Sequence, residues 1–316
     1  MSTVAADRTA SRDSFGLRFG PELALLTVVL LWSTSHILMK SVYAQINPLA
    51  MTFTRFVLIT ILAFAVLLIR GRPGQRGLDR ADLPRFIAAG LSGFTVYQFC
   101  YALGLDRTSP FSSALLIAMV PLISVVILAV TGEPTSGRAW LGLVVALAGV
   151  VIFLSSKRDD AGSLGGDLLS LGAAISFAVY GIVNRPLVRR YRPETYTAYS
   201  VLAGAIPLLL VTLPGMLAQD WAAVTTGGWW SILYTVVFPV YVAYMLWNWG
   251  IAKRGIAAAT SFQLLVPVTS GALSAIVLHE AFGPVKLIGA AVVMAGLIIV
   301  RTRSRPSRAL NEEATT

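Results

Sequence analysis

Most of the side chains used in soluble catalysis are scarce in this chain. Its 316 residues hold one cysteine, Cys100, and two histidines, His36 and His279. A single cysteine excludes an intramolecular disulfide. His279-Glu280 opens like a zinc-protease motif, but position 283 is glycine and the other histidine is far away at 36. No G-x-S-x-G elbow and no phosphate-binding GK[ST] loop occurs. Neither an enzyme nor a bound metal or cofactor is expected. Charge is scarce as well: 13% of residues are charged, against about 25% in soluble domains. All 15 acidic residues fall in tails, loops or the ends of apolar runs. A carboxylate at mid-membrane depth, which could offset a desolvated cation, is therefore not expected.

Apolar length is abundant. The mean hydropathy is +0.74 and 56% of residues are apolar. Runs of roughly 17 to 25 mostly apolar residues are long enough to cross about 30 Å of hydrocarbon as helix. Ten such runs lie near 22–40, 48–69, 83–105, 111–131, 138–156, 167–188, 194–214, 229–251, 256–278 and 284–302. The expected fold class is an all-α polytopic membrane protein with ten transmembrane helices. With the N-terminus in the cytoplasm, 19 of the 25 lysines and arginines fall on the inner side. Five fall outside and Arg55 lies within a span, so the positive-inside rule puts both termini in the cytoplasm. The net charge of +10 is spread over short loops that would face anionic lipid. It suggests a bilayer as partner and no nucleic acid.

The two halves of the sequence match. Tyr101-Ala-Leu-Gly104 aligns with Trp247-Asn-Trp-Gly250, and Pro121 with Pro267, at an offset of 146. Trp32 pairs with Phe177 and Pro48 with Pro193 at an offset of 145. The expected layout is an N-terminal arm (1–19), a first five-helix repeat (20–156), an outer linker (157–166), a second five-helix repeat (167–302) and a tail (303–316). Five crossings per unit force the second to enter from the opposite side. Inverted repeats of this kind recur in secondary transporters, with substrate bound near the midplane between the halves.

A five-plus-five duplication with a Gly- and Pro-containing fourth and ninth helix, and Ala-Gly in the fifth and tenth, resembles the EamA-type members of the drug/metabolite transporter superfamily. Leu31-Trp32-Ser33, Phe177-Ala-Val-Tyr180 and Trp247-Asn248-Trp-Gly250-Ile251 look most like the YddG-type exporters of aromatic and other neutral amino acids. The resemblance implies a basket-like fold around a central cavity, loaded from the cytoplasm and emptied outward across a bacterial inner membrane.

Helix spacing picks out the candidate cavity residues. Trp32 lies ten residues, about 15 Å, into the first helix, and His36 follows one turn later on the same face. Tyr97 and Tyr101 are one turn apart in the third helix. Phe177, Tyr180 and Asn184 share a face of the sixth. Tyr244 and Asn248 share a face of the eighth, with Trp247 beside them. Gln263 lies in the ninth, one turn before Pro267. Polar groups at such depth face a bundle interior or an aqueous cavity. The hydroxyls of Ser33, Thr34 and Ser35 could equally bond backbone carbonyls one turn earlier. Pro121 and Pro267, in mid-helix, are expected hinges. Gly142 and Gly149, with their counterparts Gly289 and Gly296, read as close helix packing between the halves. Arg55 is within snorkelling range of the outer interface, and Lys40 should reach the outer headgroups.

Aromatic walls with a few neutral hydrogen-bonding groups suit a neutral or zwitterionic small molecule, an amino acid first of all. Phosphorylated solutes would need several cations, and only Arg55 is available. Transport would be driven by a gradient, and if protons are coupled His36 is the mid-membrane group that titrates near neutrality. The alternatives are an exporter of another metabolite or drug of the same superfamily and, from another class, a lipid flippase or a non-transporting membrane partner. The oligomeric state is open, and a monomer is compatible with the sequence.

Overall fold

A computed structural model describes the backbone of residues 3–71, 74, 77–156, 161–254 and 261–301, and the side chains of residues 20–71, 74, 77–156, 163–247, 249–251, 253–254 and 261–300. Among the described residues all regular structure is helical. The helices in order are α1 (Thr3–Val42), α2 (Pro48–Arg70), α3 (Arg80–Arg107), α4 (Pro110–Val130) and α5 (Gly137–Ser155). They continue with α6 (Ala161–Val183), α7 (Pro193–Leu217), α8 (Thr226–Ile251), α9 (Ser261–Val277) and α10 (Pro284–Arg301). A short helix, Arg185–Arg190, follows α6. Eight of them, α1 to α8, are long and apolar enough to cross a membrane, and α9 and α10 are shorter apolar helices. The ninth expected span begins at 256–260, outside the described residues. Helix starts are set locally. Asn47, Ser109, Ser136 and Thr225 each accept a backbone N–H at the head of α2, α4, α5 and α8, and Pro48, Pro110 and Pro193 occupy the first turn of theirs.

Large apolar side chains point outward along these helices, for example Leu141, Val144, Leu147 and Val151 on α5. Such a surface is stable against lipid and not against water, and the chain is a multi-pass membrane protein.

The packing repeats under exchange of the two halves. α1 lies against α8 and α9, as α6 lies against α3 and α4; α2 packs on α7 and α5 on α10. A Cβ on Gly250 of α8 would collide with Leu25 of α1, and one on Gly104 of α3 with Ser170 of α6. These pairs are related by the offsets of 146 and 145. α5 and α10 meet through glycine on both sides. A Cβ on Gly149 would stand 2.5 Å from the Val293 nitrogen, and one on Gly296 2.6 Å from the Ala146 nitrogen. The packing role expected for these glycines is what the structure has.

Prolines break the helices in register. A proline has no N–H for the carbonyl four residues back. α4 is interrupted at Ala118 and Met119 ahead of Pro121, and α9 at Leu264 ahead of Pro267, the same place in each repeat. The expected sixth span, 167–188, stops as α-helix at Val183, with Pro186 just beyond. α3 and α8 each contain one π-helical stretch, Leu91–Val96 and Val237–Val242, again 146 residues apart. Such stretches widen a helix and often mark functional positions.

The α2–α7 pair is clasped at both ends. On one side Gln45 Oε1 accepts from the backbone and hydroxyl of Thr225, at 3.0 and 2.9 Å, and Gln219 links to Asn47 and Gln45. At the positions related by the repeat, Arg190 donates to Asp79 at 2.6 Å and pairs with Asp82 at 2.6 Å, and Tyr191 donates to Asp82. The backbone N–H of Ala81, and then Arg190, hold the Asp79 carboxyl below its ordinary range. Asp82 raises Arg190 in turn.

Candidate functional site

The polar run of α1 divides between packing and an aromatic interior. Thr34 donates to the Leu30 carbonyl at 2.7 Å and shares a 2.7 Å hydrogen bond with the Tyr234 hydroxyl. Ser33 donates to the Val266 carbonyl of α9. Thr34 thus bonds the carbonyl one turn earlier, as the packing alternative has it, whereas Ser33 bonds a carbonyl of another helix; both hydroxyls join helices. Trp32 and His36 do something else. The Trp32 indole donates to the Pro239 carbonyl at 3.1 Å, inside the π-helical stretch of α8. Its ring lies 5.4 Å from that of Trp247 and 6.1 Å from that of Tyr244. The His36 Nδ1 is 2.8 Å from the Trp32 carbonyl, which can only accept, so Nδ1 carries the proton and Nε2 is left as the ring's second polar atom.

From His36 a line of rings crosses the molecule. The His36 ring meets Tyr101 edge-on at 5.5 Å, and Tyr101 stacks parallel to Tyr97 at 6.0 Å. Tyr97 touches Phe177 at 4.8 Å, and Phe177 touches Tyr180 at 5.3 Å. The Tyr180 ring lies over Gly93 in the π-helical stretch of α3, at the repeat-related position to Pro239. A side chain at 93 would push that ring away. The Tyr180 hydroxyl accepts from Tyr196 at 2.6 Å, and the Asn184 amide lies beside both phenols. Tyr244 is 49% exposed although its ring contacts Trp32. Its phenol interacts electrostatically with those of Tyr97, Tyr180 and Tyr196, which come from α3, α6 and α7.

Most of the candidates thus meet. Trp32, Tyr244 and Trp247 form one group, and His36, Tyr101, Tyr97, Phe177, Tyr180 and Asn184 another, joined through α1. Gln263 stands apart: it is half-buried beside the Leu264 break, and no hydrogen bond or ring contact links it to the others among the described residues. The Asn248 side chain lies outside the described residues. Pro121 and Pro267 each stand in the first turn after the interruption of their helix.

Two cationic side chains depart from expectation. Lys40 donates to the carbonyls of Leu105 and Asp106 at 3.0 and 2.6 Å, capping the end of α3 instead of reaching headgroups. Arg55 does not snorkel. It is 5% exposed and turned inward, with Nη1 3.3 Å from the Met39 sulfur and Nη2 3.5 Å from the Thr235 carbonyl. Tyr196 and Tyr43 also belong to this interior and were not singled out by spacing. One signal was available for Arg55: it is the lone charge within an apolar run.

Two cavities of about 430 and 440 Å³ lie away from the aromatic line. The first is beside Lys286, Ser156 and Ser163, and the second is an apolar groove among Phe111, Pro267, Phe282 and Met294.

Comparison with known proteins agrees with this architecture. The model of the EamA-like transporter family matches residues 20–155 and again 164–302. A probable terminal-alkyne amino-acid exporter of Streptantibioticus cattleyicolor is 26% identical over 89% of this chain and 93% of its own. An uncharacterized transporter of Archaeoglobus fulgidus is 25% identical over 89% and 99%. The uncharacterized transporter YyaM of Bacillus subtilis is 24% identical over 83% and 87%. A protein crystal structure at 22% identity superposes with a TM-score of 0.60, covering 90% of this chain and 97% of the other. These relatives are named as transporters, not enzymes, and the repeat read from the sequence coincides with the doubled match. The chain belongs to the EamA-like transporter family.

Proposed function

We propose that the protein exports small neutral or zwitterionic metabolites, amino acids with aromatic or other neutral side chains foremost, by alternating access. In this reading ten helices span a bacterial inner membrane as two inverted repeats, with both termini in the cytoplasm. The observation that carries it is the aromatic interior of Trp32, His36, Tyr97, Tyr101, Phe177, Tyr180, Tyr244 and Trp247, contributed by α1, α3, α6 and α8. Stacking faces with sparse neutral hydrogen-bonding groups favour an uncharged or charge-balanced solute with an apolar side chain. One relative's name as a probable amino-acid exporter supports the same class. α2–α7, clasped at both ends, and α5–α10, packed glycine to glycine, form the fixed flanks. Movement then falls to α3, α4, α8 and α9, with Pro121 and Pro267 as the bending points.

The apolar groove among α4, α9 and α10 gives a lipid-handling reading a foothold. Its lining has no polar wall for a headgroup, so we rank that reading second.

The test is solute counterflow. Purified protein in liposomes preloaded with each of the twenty amino acids in turn should accelerate entry of a labelled neutral amino acid, and His36→Ala or Trp32→Ala should cut that exchange at least about tenfold in folded protein. Absence of exchange with any amino acid, by protein with an intact thermal melt, refutes the reading. Unaltered exchange in both variants refutes the site.

A further inference from the structure

We propose that Arg55 binds the carboxylate of the transported solute, an inference that rests on the amino-acid reading above and gives it a polarity. Arg55 is a buried cation with no counter-charge among the described residues. Elsewhere among the described residues two buried charges are matched by opposite ones: Asp82 lies between Arg85 and Arg190, and Lys286 pairs with Glu280 at 2.6 Å. Among the described residues Arg55 pairs with no carboxylate. Its five N–H groups meet a thioether sulfur at 3.3 Å and a carbonyl at the limit of hydrogen-bonding distance, 3.5 Å, and its Nε has no partner. The carbonyl belongs to Thr235, four residues before Pro239, so it lacks the donor a regular helix would supply.

The surroundings are rich in donors and poor in anions. The electrostatic neighbours of the guanidinium are the phenols of Tyr101, Tyr43 and Tyr97, with His36 beyond. The Tyr43 hydroxyl is itself buried, with no hydrogen-bond partner among the described residues. Asp106, the carboxylate that interacts with Tyr43, is exposed at the end of α3 and is not among the groups acting on Arg55. A planar fork of donors beside an unpartnered phenol matches one carboxylate. A phosphate dianion would call for more than one cation. Arg55 lies seven residues into α2 and His36 six residues from the end of α1, both about 10 Å from the same face. A solute held by its carboxylate at Arg55 directs its side chain inward, past Met39 and Tyr101, onto the Tyr97–Phe177 wall.

The experiment uses full-length purified protein and four probes that share one ring: phenylalanine, phenylalaninamide, phenethylamine and 3-phenylpropanoate. Binding is read as thermal stabilisation and as change in tryptophan fluorescence. The expected result is a response to the two carboxylates and a weak response to the amide and amine. In Arg55→Gln the half-saturating concentration for both carboxylates should rise about 10- to 100-fold, with the amide and amine unmoved. Arg55→Lys keeps the charge but loses the fork, so its loss should be intermediate; it carries the comparison if the Gln variant does not fold. A response to 3-phenylpropanoate that needs Arg55, with none to phenylalanine, would sustain the carboxylate site and overturn the amino-acid reading. Equal response to carboxylate and amide, the same preference retained in Arg55→Gln, or no response to any probe would overturn the assignment.

Discussion

Replacing Gly149 by alanine tests the α5–α10 seam that holds the two halves together. In the structure the new Cβ would stand 2.5 Å from the Val293 nitrogen and 2.9 Å from the Gly289 carbonyl oxygen. Both are backbone atoms of α10, so no side chain can rotate away to make room. Real Cβ contacts essentially never fall under 3.0 Å, so α10 must retreat along a tightly packed helix face. Overpacking of this kind costs about 1–3 kcal/mol. The intrinsic preference of helices for alanine opposes it by up to ~1 kcal/mol, so the net effect should be a clear loss of stability. Gly181 on α6 supplies the control. A Cβ there meets nothing within 4 Å, so Gly181→Ala should be neutral or slightly stabilising through the same helix preference. Thermal melts and denaturant titrations of both variants in one detergent give the comparison. If Gly149→Ala proves as stable as Gly181→Ala, the seam is looser than described, and the fixed-flank role given to α5–α10 fails with it.

The ion pair at the head of α10 should be strongly coupled. Lys286 sits among Phe111, Phe153 and Phe282, with its ammonium 5.0–5.9 Å from the three ring centres and 2.6 Å from Glu280. Lys286→Met strands the carboxylate and should cost about 3 kcal/mol, while adding Glu280→Gln should recover most of it in a double-mutant cycle. The clasp at Arg190 should weaken in acid. Because Asp79 is held below its ordinary carboxyl range, its contribution is complete above about pH 4 and disappears as pH falls through the folded value. Asp79→Asn should therefore lower the melting temperature at neutral pH, and the difference from wild type should shrink as pH falls below the ordinary carboxyl range; a difference that stays constant on acidification would remove Asp79 from the clasp.

The sequence alone was enough for the membrane class, the positions of most helices and the twofold repeat. Each is a sum or a period over many residues, and no single contact alters it. The offsets of 145 and 146 reappear in the paired helix breaks, the paired π-helical stretches and the matched contacts at Gly104 and Gly250. Composition and spacing also found the rings that meet, since Trp32, Tyr97, Phe177 and Tyr244 are large and sit at helical intervals in otherwise aliphatic runs. Rotation of each helix about its axis was not legible, because neighbouring helices fix it and periodicity does not. Packing decided that Thr34 and Ser33 tie α1 to α8 and α9, and that Lys40 caps α3. Packing also turned Arg55 inward. Seven residues from a helix end, an arginine can reach the interface or the interior with equal ease. The carbonyl of Thr235, the sulfur of Met39 and the phenols around them settle which way it lies.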